Sequence, residues 1–147
     1  MSVFQGRGLA AAASLSQLMI RLPLGVIFIA HGGQKLFGWF GGRGLAATLA
    51  DYERFLGIPP FLAAVGLALE FFGGLAVLIG LATRTAALGL AVIMLVAIAR
   101  VHIANGFFIN WQLTPGRGHG IEMNLALLGM SLALVTGGAG RFAIDRE

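Results

Sequence analysis

The chain contains no cysteine. Disulfides, thiolate metal sites and thiol catalysis are therefore excluded. Charge is scarce: Asp, Glu, Lys and Arg make up 11% of 147 residues, while 58% are hydrophobic. A soluble domain carries about 25% charged residues, and one this small could not cover its surface with so few. A soluble enzyme, a disordered chain and a nucleic-acid binder are excluded on this ground. Period-2 alternation is not sustained, which argues against a membrane β-barrel. The Gly-rich segment Gly116-Arg117-Gly118-His119-Gly120 is not followed by Gly-Lys-Thr/Ser, so it gives no phosphate-binding signal. No metal site is read from the sequence.

What remains describes an integral membrane protein. Mean hydropathy is +0.89. A spanning helix needs roughly 20 apolar residues, and four such runs fill the chain. They extend from about Leu15 to Phe40, Pro60 to Leu81, Thr85 to Ala104 and Ile121 to Thr136. The expected fold is all-α: one transmembrane domain over residues 1–147, an integral membrane four-helix bundle. Pro23 lies inside the first run, where it can kink a helix. The segment from Leu45 to Phe55 has amphipathic spacing suited to the membrane interface.

Small residues mark the faces expected to pack. Arg21, Gly25, Phe28, Gly32 and Lys35 share one face of the first span. Gly66, Glu70, Gly73, Val77 and Gly80 share a face of the second. Gly129, Ala133 and Gly137 repeat every four residues in the fourth, a small-xxx-small pattern that also permits a homodimer.

Bundle packing explains the glycines but not the charges. Glu70 lies about 15 Å from the Pro60 end of its helix, near the centre of a bilayer. A charge there costs at least about 2.5–3.5 kcal/mol. His31 and Lys35 on span one, Arg100 and His102 on span three, and Glu122 with Asn124 on span four approach from the same side. Two readings follow. In the structural one, Glu70 and Arg100 form a buried ion pair, Glu122 pairs with Lys35 or Arg100, and the histidines are anchors. In the functional one, Glu70, Arg100, His31, His102, Lys35 and Glu122 form an intramembrane polar site that binds a small molecule or relays protons. No residue is singled out as catalytic. A haem held by His31 and His102 is disfavoured, since two histidines in a bundle carry little specificity. His119 reads as a solvent-exposed loop residue. Trp39, Phe40, Phe107, Phe108 and Trp111 read as an interfacial aromatic belt.

Loop charges do not orient the chain. Arg7, Arg21, Arg84, Arg141 and Arg146 on one side balance Lys35, Arg43, Arg54, Arg100 and Arg117 on the other.

The ordered motifs resemble the DoxX family of small four-helix membrane proteins. They are Arg21…Gly25…Phe28…His31-Gly32…Lys35-Leu36, then Glu70…Gly73-Gly74…Gly80-Leu81…Thr83-Arg84, then His102…Asn105-Gly106, then Glu122 and Gly138…Gly140…Asp145. The resemblance implies a multi-pass protein of the bacterial cytoplasmic membrane with both termini cytoplasmic. It implies association with membrane redox systems, such as quinol oxidase or thiosulfate:quinone oxidoreductase assemblies. It also brings quinone as the cofactor to consider, and a protein partner besides the lipid bilayer. The residues alone name no cofactor and do not decide whether the chain is itself an enzyme. A non-catalytic assembly scaffold and a small transporter are the alternative readings.

Overall fold

A computed structural model describes residues 3–145, with side chains from residue 12 onward. Arg7 and Arg146, weighed above for orientation, fall outside the described side chains. Among the described residues all regular structure is helical. The helices are α1 (Val3–Phe37), α2 (Gly44–Asp51), α3 (Pro60–Ile79), α4 (Thr83–Ala97) and α5 (Glu122–Gly137). A π-helical turn (Ile98–His102) and a 3-10 turn (Ile103–Asn105) extend α4.

Local sequence sets the boundaries. Gly38, with φ 76°, is left-handed and stops α1 at Phe37, short of the expected Phe40. Pro60 occupies the first turn of α3, where a missing N–H costs nothing. Gly80, with φ 73°, ends α3 at Ile79 rather than Leu81. α1 runs through Pro23 as one helix.

Three helices are long and apolar enough to cross a membrane: Ala12–Phe37, Pro60–Ile79 and Thr83–Asn105. α5 is apolar but only 16 residues long. At 1.5 Å per residue it covers about 24 Å, less than the roughly 30 Å hydrocarbon core. Of the four expected runs, three are thus long enough to span, and the fourth, already short in the sequence, is a shorter apolar helix.

α1 lies antiparallel along α3, α3 and α4 form a tight hairpin, and α5 returns along α4. The α1–α3 crossing is close because glycines line it. A Cβ at Gly32 would come within 2.8 Å of the Phe71 backbone, and one at Gly74 within 3.0 Å of Ile29 N. Leu24, Phe28, Val77, Leu90 and Leu134 are the buried centre. The stripe expected on α1 faces inward, and so does the α3 stripe from Glu70 to Gly80, whereas the space beside Gly66 is open. The α5 stripe does not face inward: the space beside Gly129 is open, and the buried face is Asn124, Leu127, Ser131 and Leu134.

The end of the bundle holding the α3–α4 turn is tied by Arg21. Its side chain is 1% exposed. Nε donates to Val77 O at 2.8 Å and Nη2 to Leu78 O at 2.8 Å, satisfying carbonyls at the end of α3. Nη1 donates to Ala139 O and Phe142 O at 2.9 and 2.7 Å, which docks the segment after α5. Arg84 does the same for the end of α5, donating to Val135 O and Thr136 O.

Asp145 closes this arrangement by accepting the N–H groups of Ala82 and Thr83 at 2.8 and 2.7 Å, capping α4. The Thr83 N–H is the main reason its carboxyl lies below the ordinary carboxylate range; the Ala82 N–H and the Arg21 charge act in the same direction against partial desolvation. A carboxyl depressed in the folded state contributes its full stability above the unfolded pKa. That contribution disappears as pH falls through the lowered folded value. Asp145→Asn should cost about 1 kcal/mol at pH 7, the scale of a lost cap. Unfolding measured in detergent from pH 7 to pH 3 should show the two proteins converging in acid. A gap independent of pH would remove this role.

Candidate functional site

At the opposite end of the bundle a cavity of about 310 Å³ opens between the helices. Its walls are mainly apolar, from Ile27, Phe28, Met94, Ala97, Ile109 and Leu127. Into it come His31 and Lys35 of α1, Glu70 of α3, His102 beyond α4, His119 of the following loop and Asn124 of α5.

Lys35 sits in the last turn of α1, where a cation suits the carbonyl end of the helix. The glycine crossing brings α3 close enough for its ammonium to meet Glu70. Lys35 Nζ donates to both carboxylate oxygens, each at 2.8 Å. The Glu70 side chain is 5% exposed and that of Lys35 is 28% exposed. Tyr52, from the turn after α2, adds its phenol to the surroundings of Lys35.

Asn124 is 8% exposed. Its side chain has one hydrogen bond, from Nδ2 to Met94 Sδ at 3.6 Å. A thioether is a weak acceptor, so a nearly buried carboxamide faces the cavity with most of its hydrogen-bonding capacity unused.

The loop after α4 is ordered by Asn110. Its Nδ2 donates to Thr114 O and Arg117 O at 3.1 and 2.9 Å, and its Oδ1 accepts Thr114 N–H at 3.0 Å. The Asn110 backbone N–H donates to His119 Nδ1 at 3.2 Å. His102 Nδ1 donates to His119 O at 2.8 Å. The loop thereby seats His119 beside His102 on one wall.

Of the expected polar set, the structure brings His31, Lys35, Glu70 and His102 together. It does not bring Arg100 or Glu122. Arg100 Nη2 donates to Leu56 O at 2.8 Å and ties the α2–α3 connection to α4. The Glu70–Arg100 pair is therefore replaced by Glu70–Lys35. The π-helical turn over Ile98–His102 changes the angular spacing there, placing His102 at the cavity and Arg100 outside it. Glu122 stands in the first turn of α5, where an acid complements the helix dipole, and pairs with neither Lys35 nor Arg100. His119 is exposed, as expected of this loop, but it also lines the cavity, and neither that nor Tyr52 was expected at the site; the sole tyrosine beside an amphipathic run and a histidine flanked by glycines were the available signals. Trp39, Phe40, Phe107, Phe108 and Trp111 are exposed and do not line the cavity, as befits an interfacial belt.

Helices of this length and hydropathy, with a polar cluster at one end of an apolar bundle, define a small helical membrane protein. The chain belongs to the DoxX family, whose model matches residues 16–103. It is 32% identical over 130 residues to "Inner membrane protein YqjF" of Escherichia coli, covering 88% of each chain. It is 30% identical over 131 residues to "Putative oxidoreductase CatD" of Bacillus subtilis, covering 89% of this chain and 85% of that one. It is 32% identical over 138 residues to "Uncharacterized membrane protein Rv3486" of Mycobacterium tuberculosis, covering 90% of this chain and 80% of that one. No solved structure matches. The family match contains His31, Lys35, Glu70 and His102, while His119 and Asn124 lie beyond it.

Proposed function

We propose that this chain is a multi-pass subunit of a quinone-linked redox system in the bacterial cytoplasmic membrane, and that its cavity holds the ring of a quinone or quinol. The observation that carries the reading is the cavity itself. It has apolar walls, a Lys35–Glu70 pair at one side and an under-bonded Asn124 at another. Such a site suits a flat, uncharged ring with polar oxygens. A homologue named as an oxidoreductase points the same way. In this reading α5 completes a single four-helix membrane domain with both termini on the cytoplasmic side.

Beyond its two bonds to Glu70, Lys35 has a third N–H beside the Tyr52 phenol, and a ring oxygen takes it in that phenol's place. His31 and His102 exchange protons with that oxygen. Two electrons pass between the ring and a protein partner as the two protons move. Arg100, tied to the Leu56 carbonyl, stands outside this chemistry.

The test is saturable binding of a short-chain benzoquinone or benzoquinol to the purified protein in nanodiscs, read by quenching of Trp39 and Trp111. One site per chain is expected. Asn124→Leu should weaken binding about tenfold, the scale of one or two lost hydrogen bonds, and Arg100→Met should leave it unchanged. Absence of saturable binding, or binding indifferent to Asn124, would overturn the proposal.

A further inference from the structure

The backbone partners of His102 and His119 fix opposite tautomers. A carbonyl oxygen only accepts, so the 2.8 Å contact of His102 Nδ1 with His119 O requires the proton on His102 Nδ1. A neutral His102 then has an acceptor at Nε2. A backbone N–H only donates, so the 3.2 Å contact from Asn110 N requires a bare Nδ1 on His119. Its proton is on Nε2, which is a donor. In each ring Nε2 is the nitrogen left for a ligand. Both residues line the cavity, and the bond from the His102 ring to the His119 backbone keeps the two residues side by side. That wall therefore offers both an acceptor and a donor.

Resting on the ring-binding reading above, we infer that the cavity selects the hydroxyl-bearing, reduced form of its ligand, a quinol, over the quinone. A hydroxyl donates through its proton and accepts through its oxygen, so it satisfies both rings. A quinone carbonyl only accepts. It can use His119 Nε2–H, Lys35 and the Asn124 amide, but it leaves His102 Nε2 without a proton to accept. An acceptor that a bound ring covers without offering it a proton costs its desolvation, and a site built around a hydroxyl rejects the analogue lacking it. Glu70 does not make up the difference, because both its oxygens are turned to Lys35.

The experiment uses the full chain in nanodiscs without oxygen. Binding is compared for a decyl-benzoquinol, the matching decyl-benzoquinone and the quinol's dimethyl ether. The quinol should bind about tenfold more tightly than either, the scale of one good hydrogen bond. His102→Asn keeps a donor for the His119 carbonyl but has no Nε2. It should weaken the quinol about tenfold and so remove its advantage over the quinone. Nitrogen-15 spectra of the native protein give a readout that needs no variant and no ligand: His102 protonated at Nδ1, His119 at Nε2. Equal binding of quinol, quinone and ether overturns this inference and leaves the ring site standing. Reversed tautomers overturn it as well. If no ring binds, the ring site fails and the inference with it.

Discussion

Replacing Arg21 by Met should destabilise the protein by about 3–5 kcal/mol, the scale of removing one partner from a buried charged network. Arg21 is the largest fully buried side chain and donates to four backbone carbonyls on two separate segments. In a membrane no water replaces those donors cheaply. The truncation strands Val77 and Leu78 carbonyls at the end of α3 and undocks the segment after α5. Arg21→Lys should recover only part of the loss, since a point ammonium has three donors and cannot reproduce the planar fork. Thermal unfolding in detergent gives the stability. Amide exchange at Ile144 and Asp145, whose N–H groups bond Ile79 O and Gly80 O, reports the docked segment. Arg21 lies 14 residues before Lys35, about 21 Å along α1. Ring binding at the far end should therefore persist in whatever fraction folds. A loss under about 1 kcal/mol, or unchanged exchange at these two amides, would show that the Arg21 network does not hold this end together.

Much of this was legible in the sequence, and the limits have physical causes. Apolar runs gave the helices, and glycine spacing gave the α1 and α3 faces, because both follow from periodicity within one helix. Position along the bundle was legible too: Lys35, Glu70 and His102 were placed in one half, and all three line the cavity there. Partner choice was not. Helical spacing orders residues along one helix but does not fix how neighbouring helices are rotated, so Glu70 was assigned Arg100 and meets Lys35 instead. The π-helical turn that separates Arg100 from His102 has no sequence pattern of its own. α5 is apolar on most sides, and its Gly129–Ala133–Gly137 pattern could mark either a packed or a lipid-facing stripe. His119 depends on a loop shaped by Asn110 side-chain bonds, which residue type alone does not specify.

The Lys35–Glu70 pair allows the two readings of the polar cluster to be separated. If it only fixes helix register, matched apolar replacements should restore everything it does. If it also serves a ligand, stability and binding will part. Lys35→Met alone should cost about 3–5 kcal/mol, because it leaves an almost fully buried carboxylate without its partner. Glu70→Leu alone should cost less, since the half-buried ammonium can extend along its own stem toward the interface. The double variant should lie within about 1–2 kcal/mol of the native protein, because swapping a buried pair for apolar side chains is often near neutral. The shortfall of the double variant from the summed losses measures the coupling. Ring binding should be lost in Lys35→Met and should stay lost in the stable double variant. A double variant that regains both stability and binding would make the pair a structural strut, and this membrane protein would then be better read as a scaffold.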